Sequence, residues 1–206
     1  MTLESSCFIS HRSSEKKLAG GMVKAIYEAL VEELEIQVDE GVHPLRAEPG
    51  DVLDGTLAEA LCRTSCMVLL FTGNYFSGKR PYCTREYLMM REIEARRLKQ
   101  FGVPVSKKHG LVIPIVLSNP ERMPAELKRR VWCDFQSFEQ TREGIEYPKT
   151  FFTEIRKIAQ YIERRHTAVI SLPEPENPCD GLEFPDDQRV QEFLATLAKA
   201  GHVKDK

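Results

Sequence analysis

The chain has 206 residues, with 29 Lys and Arg against 31 Asp and Glu, a formal net charge of −2 and 42% hydrophobic residues. That length supports a real core in one domain, or one domain with an appendage. The balanced charge argues against general binding to nucleic acid or to an anionic membrane. No apolar run approaches the roughly 20 residues of a membrane helix, and Met1-Thr2-Leu3-Glu4-Ser5-Ser6 has neither the basic nor the apolar region of a signal peptide. The expected location is cytoplasmic. Six scattered cysteines, Cys7, Cys62, Cys66, Cys83, Cys133 and Cys179, lack metal-ligand spacing. In a reducing compartment they read as small buried apolar residues.

Cys7-Phe8-Ile9-Ser10 is short and apolar and reads as a buried strand. Ser13, Ser14 and Glu15 offer capping groups before a helix with Leu18, Met22, Ile26, Leu30 and Leu34 on one face. Glu35-Ile36-Gln37-Val38-Asp39 alternates and reads as a second strand. A loop from Glu40 to Asp51 carries Gly41, Pro44, Pro49 and Gly50, all breakers. Asp51 then caps a helix bearing Leu53, Leu57, Ala60 and Leu61.

Met67-Val68-Leu69-Leu70-Phe71 is a continuous apolar run of the buried parallel type. A charged helical pattern runs from Glu86 to about Phe101. Leu111 to Leu117 is a further strand, whose internal Pro114 favours a sheet edge or a strand start. Pro120 to Arg130 is a loop with a short helical piece, Val131 to Phe135 a short last strand, and Phe151 to Ile162 an amphipathic helix. Strand and helix thus alternate to about residue 165. That order predicts an α/β fold with five parallel strands and helices on both faces. Residues 166–206 form an appendage. Leu172 to Pro178 is a proline-rich acidic connector, and residues 186–199 form a helix whose Val190, Phe193, Leu194 and Leu197 pack on the body or on a partner.

Glu86 lies just past the end of a buried strand, at the sheet edge where ligands bind in open α/β sheets. A glutamate at a helix start is also common because the helix dipole favours negative charge there. Ser10, His11 and Arg12 follow the first strand and reach the same edge. Arg12 is either a pyrophosphate contact or an exposed loop arginine. Lys79 and Arg80 read more simply as solvated than as phosphate ligands.

The order of these motifs resembles the Toll/interleukin-1 receptor (TIR) domain family, from about residue 4 to residue 165. Phe8-Ile9-Ser10-His11-Arg12 resembles the family's first strand and following loop. Glu48-Pro49-Gly50-Asp51 resembles its BB loop, and Ser65 to Tyr75 its central strand with the asparagine-tyrosine pair. Tyr82-Cys83-Thr84-Arg85-Glu86 resembles its W-C-x-x-E motif, with tyrosine in place of tryptophan. Trp132 before the last helix also suits the family layout.

The resemblance implies a flavodoxin-like TIR fold. It also implies one of two activities: association with other TIR domains as an adaptor, or cleavage of NAD at the nicotinamide–ribose bond. In the enzymatic class the motif glutamate is catalytic, which here is Glu86. Ser10, His11, Arg12, Arg46 and Tyr82 are then the expected substrate-binding residues, His11 as lining rather than as a base. Tyr82 either shields the site or is a half-buried loop aromatic. NAD is substrate rather than cofactor, and no metal is required. A stand-alone chain of this kind is similar to bacterial anti-phage, Thoeris-like TIR enzymes. These make a signal nucleotide for a separate effector or deplete NAD, and self-associate through TIR–TIR contacts. A third reading, a nucleoside deoxyribosyltransferase, shares a catalytic glutamate but not the Phe8-Ile9-Ser10 and Pro49-Gly50 landmarks.

Overall fold

A computed structural model describes residues 3–12, 17–38, 53–79, 81–100, 110–138, 147–172 and 179–200. Among them four strands, β1 (Ser5–His11), β2 (Thr64–Phe71), β3 (Val112–Val116) and β4 (Cys133–Asp134), form one sheet in the order β1-β2-β3-β4. Every pair is parallel, with Ile9 opposite Val68 and Val68 opposite Ile113. β2 is wholly buried, as its unbroken apolar run requires of a strand covered on both faces.

The helices are α1 (Lys17–Gln37), α2 (Leu53–Cys62), α3 (Tyr82–Gln100), α4 (Ala125–Lys128), α5 (Lys149–Ile170) and α6 (Asp187–Lys199). α5 pairs with α1 and lies against β1 and β2, while α2 pairs with α3, which lies against β1 and β3. The stripe Phe151, Ile155, Ile158, Ala159, Ile162 is the buried face of α5, at the spacing that one side of a helix presents to a core.

Three expectations are corrected here. The sheet has four described strands rather than five, because residues 35–37 extend α1 instead of forming a strand. Val38 N–H bonds to Leu34 O at 2.9 Å and Ile36 is 77% exposed, so the alternation there buries nothing. Continuing an existing helix costs little, whereas a new strand needs a partner. Second, Pro114 lies inside β3, which has a neighbour on each side. Leu117 N–H donates to Phe71 O, and Val116 O accepts from Phe135 N–H. Alternation therefore turns the Pro114 nitrogen toward the β4 side, where β4 pairs only with Ile115 and Val116. The missing donor breaks no ladder bond. Third, Cys62 and Cys179 form a disulfide at a sequence separation of 117. Tertiary packing brings the appendage to the C-terminal end of α2, which no local spacing indicates. Cys7, Cys66 and Cys83 are buried free thiols, as expected, and Cys133 is half-buried.

α6 begins where Asp186 caps it by accepting a hydrogen bond from Arg189 N–H at 2.8 Å. Val190, Leu194 and Leu197 are buried against the body. The proline-rich stretch 173–178 lies outside the described residues.

Candidate functional site

Because the strands are parallel, the residues that leave β1, β2 and β3 gather at one sheet edge. The loop after β2 turns back at once, with Tyr75 N–H bonded to Thr72 O at 2.8 Å. Gly73 lies so close to Asn119, in the loop after β3, that a Cβ there would sit 2.8 Å from the Asn119 Cβ. Only glycine permits that approach. Pro81 precedes α3 and its carbonyl accepts from Arg85 N–H at 2.9 Å, a suitable start for a residue with a fixed φ and no donor. α3 therefore begins at Tyr82 and not at Glu86. This removes the helix-start explanation for Glu86, since the dipole effect fades beyond the first turn.

Glu86 is 6% exposed. Its Oε2 accepts a hydrogen bond from Ser10 Oγ of β1. Ser10 Oγ is in turn 2.5 Å from the hydroxyl of Tyr75, which is fully buried. Ser10 has a single hydroxyl proton and spends it on Glu86, so Tyr75 O–H donates to Ser10 Oγ. The relay runs Tyr75 to Ser10 to Glu86. Burial pushes the Glu86 carboxyl up to about 7, against the lowering effect of the Ser10 hydrogen bond. The groups that sense its charge are Tyr75 and Cys83, both raised mainly by burial, with Arg12 acting on Cys83 in the lowering direction. The arrangement is a buried carboxyl that has a hydroxyl donor but no ion-pair partner among the described residues. Such a group attracts a cation that comes from outside.

Arg12 donates to Asn74 O at 2.6 Å, and Arg122 donates to Asn74 Oδ1 at 3.3 Å. Two guanidinium groups thus meet the loop after β2 from β1 and from the turn after β3. Tyr82 is 39% exposed, with the Arg85 guanidinium 5.5 Å from its ring centre. His11 is the last residue of β1 and half-buried. The structure therefore gathers Ser10 and Glu86 in direct contact and places Arg12 and Tyr82 on flanking segments. Arg46, Arg80, Pro49 and Gly50 lie outside the described residues. Sequence reading did not bring Tyr75 or Arg122 to this edge. The asparagine-tyrosine pair was visible, but only the β1–β2 register brings Tyr75 to Ser10. Arg122, in a proline-flanked turn, carries no local signal.

A family model described as "TIR domain" matches residues 7–146, about two thirds of the chain. This chain belongs to the TIR domain family. A solved structure titled "Structure of the activated Roq1 resistosome directly recognizing the pathogen effector XopQ (TIR domains)" is similar at 17% identity and a TM-score of 0.38, covering 93% of this chain and 98% of that one. No curated protein matches the chain. No helix among the described residues is long and apolar enough to cross a membrane.

Proposed function

We propose that this TIR domain cleaves NAD at the bond between nicotinamide and ribose, with Glu86 as the catalytic carboxylate. The observation that carries this reading is the Glu86 environment: buried, given one hydroxyl donor by Ser10, and raised to about 7. Nicotinamide in NAD is cationic, and breaking its glycosidic bond builds oxocarbenium character on the ribose. A carboxylate in a poorly solvated pocket stabilises such charge far better than one in water. The arriving cation also lowers the Glu86 pKa and favours the ionised form that the reaction needs.

The leaving group departs as neutral nicotinamide with the bonding electron pair, so no general acid is required. Water then adds to the anomeric carbon and loses a proton, giving ADP-ribose. When an internal nucleophile of the same molecule or an added acceptor adds instead, the product is a cyclic isomer or a conjugate. Arg12, and Arg122 beside it, suit the pyrophosphate, because guanidinium matches phosphate oxygens in pairs. Ser10 acts through Glu86 in this reading, rather than on the substrate directly. His11 and Tyr82 line the approach, and Arg46 of the BB loop contributes from outside the described residues.

NAD is the substrate and the mechanism calls for no resident cofactor. Its setting is a cytoplasmic anti-phage response in which TIR–TIR association orders the site. The product then signals to a separate effector, or NAD is simply exhausted.

The test is NAD turnover by concentrated purified protein, with products separated by chromatography and identified by mass spectrometry, beside Glu86→Gln. Nicotinamide released by the wild type and not by the variant supports the enzyme and identifies its product. No release, even after crowding or addition of lysate from infected cells, transfers the reading to a non-enzymatic TIR adaptor.

A further inference from the structure

Residues 179–200 lie along the side of the molecule that builds the Glu86 site. Cys179 is bonded to Cys62 at the end of α2. Arg96 of α3 donates to Asp180 O at 2.6 Å and to Gly181 O at 2.8 Å. Nearer the start of α3, Arg189 pairs with Glu92 at 3.2 Å and Asp187 pairs with Arg85 at 2.6 Å. Arg85 is the residue next to Glu86, and its side chain is only 13% exposed. Phe193 packs its ring 5.4 Å from Phe76 and 5.8 Å from Tyr87. Phe76 in turn meets the Tyr75 ring edge-on at 4.9 Å. Leu194 faces Gly78, where an added Cβ would be 3.7 Å from its Cδ1.

Each of these contacts beyond the disulfide falls on α3 or on the loop after β2, and these two segments carry Glu86 and Tyr75. The segment therefore braces the relay from behind. Tyr87 follows Glu86, Phe76 follows Tyr75, and Phe193 fills the corner that both share. The ion pair from Asp187 pulls on the residue before Glu86.

We propose that the C-terminal segment is part of the catalytic scaffold: Phe193 and Asp187 are positioning residues for Glu86, and the Cys62–Cys179 bond fastens the segment that carries them. This rests on the reading of Glu86 as the catalytic carboxylate.

The fastening is reversible. Cys62 is buried and Cys179 half-buried, so a dithiol attacks the Cys179 sulfur. This forms a mixed disulfide and expels Cys62 as a thiolate, which takes up a proton. The second thiol of the reductant then closes its own disulfide and releases Cys179 as a thiol. Two electrons and two protons pass to the protein. In a reducing compartment such bonds serve as sensors rather than as permanent struts. Loss of the tether loosens the loop and the first turns of α3, and small misplacements of a catalytic group are costly in rate.

The experiment uses the full chain. Phe193→Ala, Asp187→Ala and Cys62→Ser are compared with the conservative Phe193→Leu and Asp187→Glu. Nicotinamide release is resolved into kcat and KM, and the Glu86 carboxyl is titrated by NMR with 13C-labelled glutamate. Phe193→Ala is expected to lower kcat about tenfold to a hundredfold, and Asp187→Ala, whose carboxylate is 81% exposed and whose loss leaves Arg85 paired with Asp54, by about twofold to fivefold, both with little change in KM and with a shift of the Glu86 titration midpoint. The conservative variants recover part of both. Dithiothreitol is expected to lower wild-type kcat and to leave Cys62→Ser unchanged.

The proposal is overturned if Phe193→Ala and Asp187→Ala keep the wild-type kcat and titration midpoint. It is also overturned if reduction confirmed by mass spectrometry leaves wild-type kcat unaltered. If the wild type releases no nicotinamide, the catalytic reading fails. The Glu86 midpoint in wild type and Phe193→Ala then decides the positioning role by itself.

Discussion

Two glutamates on α3, Glu86 and Glu94, are equally buried at 6% exposure and stand eight residues apart. Their surroundings are opposite. Glu94 accepts both arms of the Arg130 guanidinium, at 2.8 and 2.6 Å, and also bonds the backbone N–H groups of Leu111 and Val112 at the start of β3. Three residues beyond Glu94, a further buried charge, Arg97, donates to the carbonyls of Cys62, Thr64 and Ser65. Glu94 and Arg97 therefore tie α3 to the strands and to the end of α2. Among the described residues, Glu86 has only the Ser10 hydroxyl. Equal burial with unequal supply of partners separates a carboxylate that stabilises the fold from one held at a cost in stability, as the proposed catalytic role of Glu86 requires.

The largest effect expected from this contrast is at Glu94. Glu94→Gln leaves the half-buried Arg130 without its bidentate carboxylate and weakens the bonds to Leu111 and Val112 N–H, and urea denaturation should show a loss of about 3–5 kcal/mol. A midpoint equal to that of the wild type would erase the distinction between the two sites.

Glu86→Gln should act with the opposite sign. The folded carboxyl is raised to about 7 from an ordinary value of 4.5. The native state therefore binds more protons than the unfolded one between those values, and the wild type loses stability as pH rises through that window. The glutamine variant should match the wild type at pH 4 and exceed it by up to about 3 kcal/mol at pH 8, while nicotinamide release falls by about two to three orders of magnitude. Denaturation curves at the two pH values check the first statement. Destabilisation at pH 8 would mean that Glu86 is paired in solution.

Smaller effects sharpen the relay. The wild-type kcat/KM for NAD should rise with pH, with a midpoint near 7. Ser10→Ala removes the interaction that lowers the Glu86 pKa, so this midpoint should move upward by about one unit, the scale of a hydrogen bond to a charged group. A pH–rate profile that shifts downward would refute the direction of that bond. Tyr75→Phe is the mildest change. It removes the donor to Ser10 and should cost about 1 kcal/mol of stability, with a smaller upward shift of the same profile.

The strands that build the site were legible because a covered parallel strand announces itself as an unbroken apolar run, as in Met67 to Phe71. Glu86 was legible through its motif after that run. The relay was not, because Ser10 and Tyr75 are 65 residues apart and meet only through strand register. Nothing in the charged pattern from Glu86 to Phe101 marked Glu94 and Arg97 as buried. Periodicity records that a helix is amphipathic but not that its charges find partners under the sheet. The strand expected at residues 35–39 failed because five alternating residues are too few to distinguish a strand from the last turn of a helix.

By itself the sequence determined the α/β order, the family and the position of Glu86 in its motif, because these depend on local pattern and on spacing along the chain. The tertiary structure decided which buried charges are satisfied, how Ser10 and Tyr75 reach Glu86, and that the last described helix closes over α3 with Cys179 bonded to Cys62. Those are contacts between residues distant in sequence. Solvation and pairing arise only when the chain brings such residues together, so no local pattern encodes them.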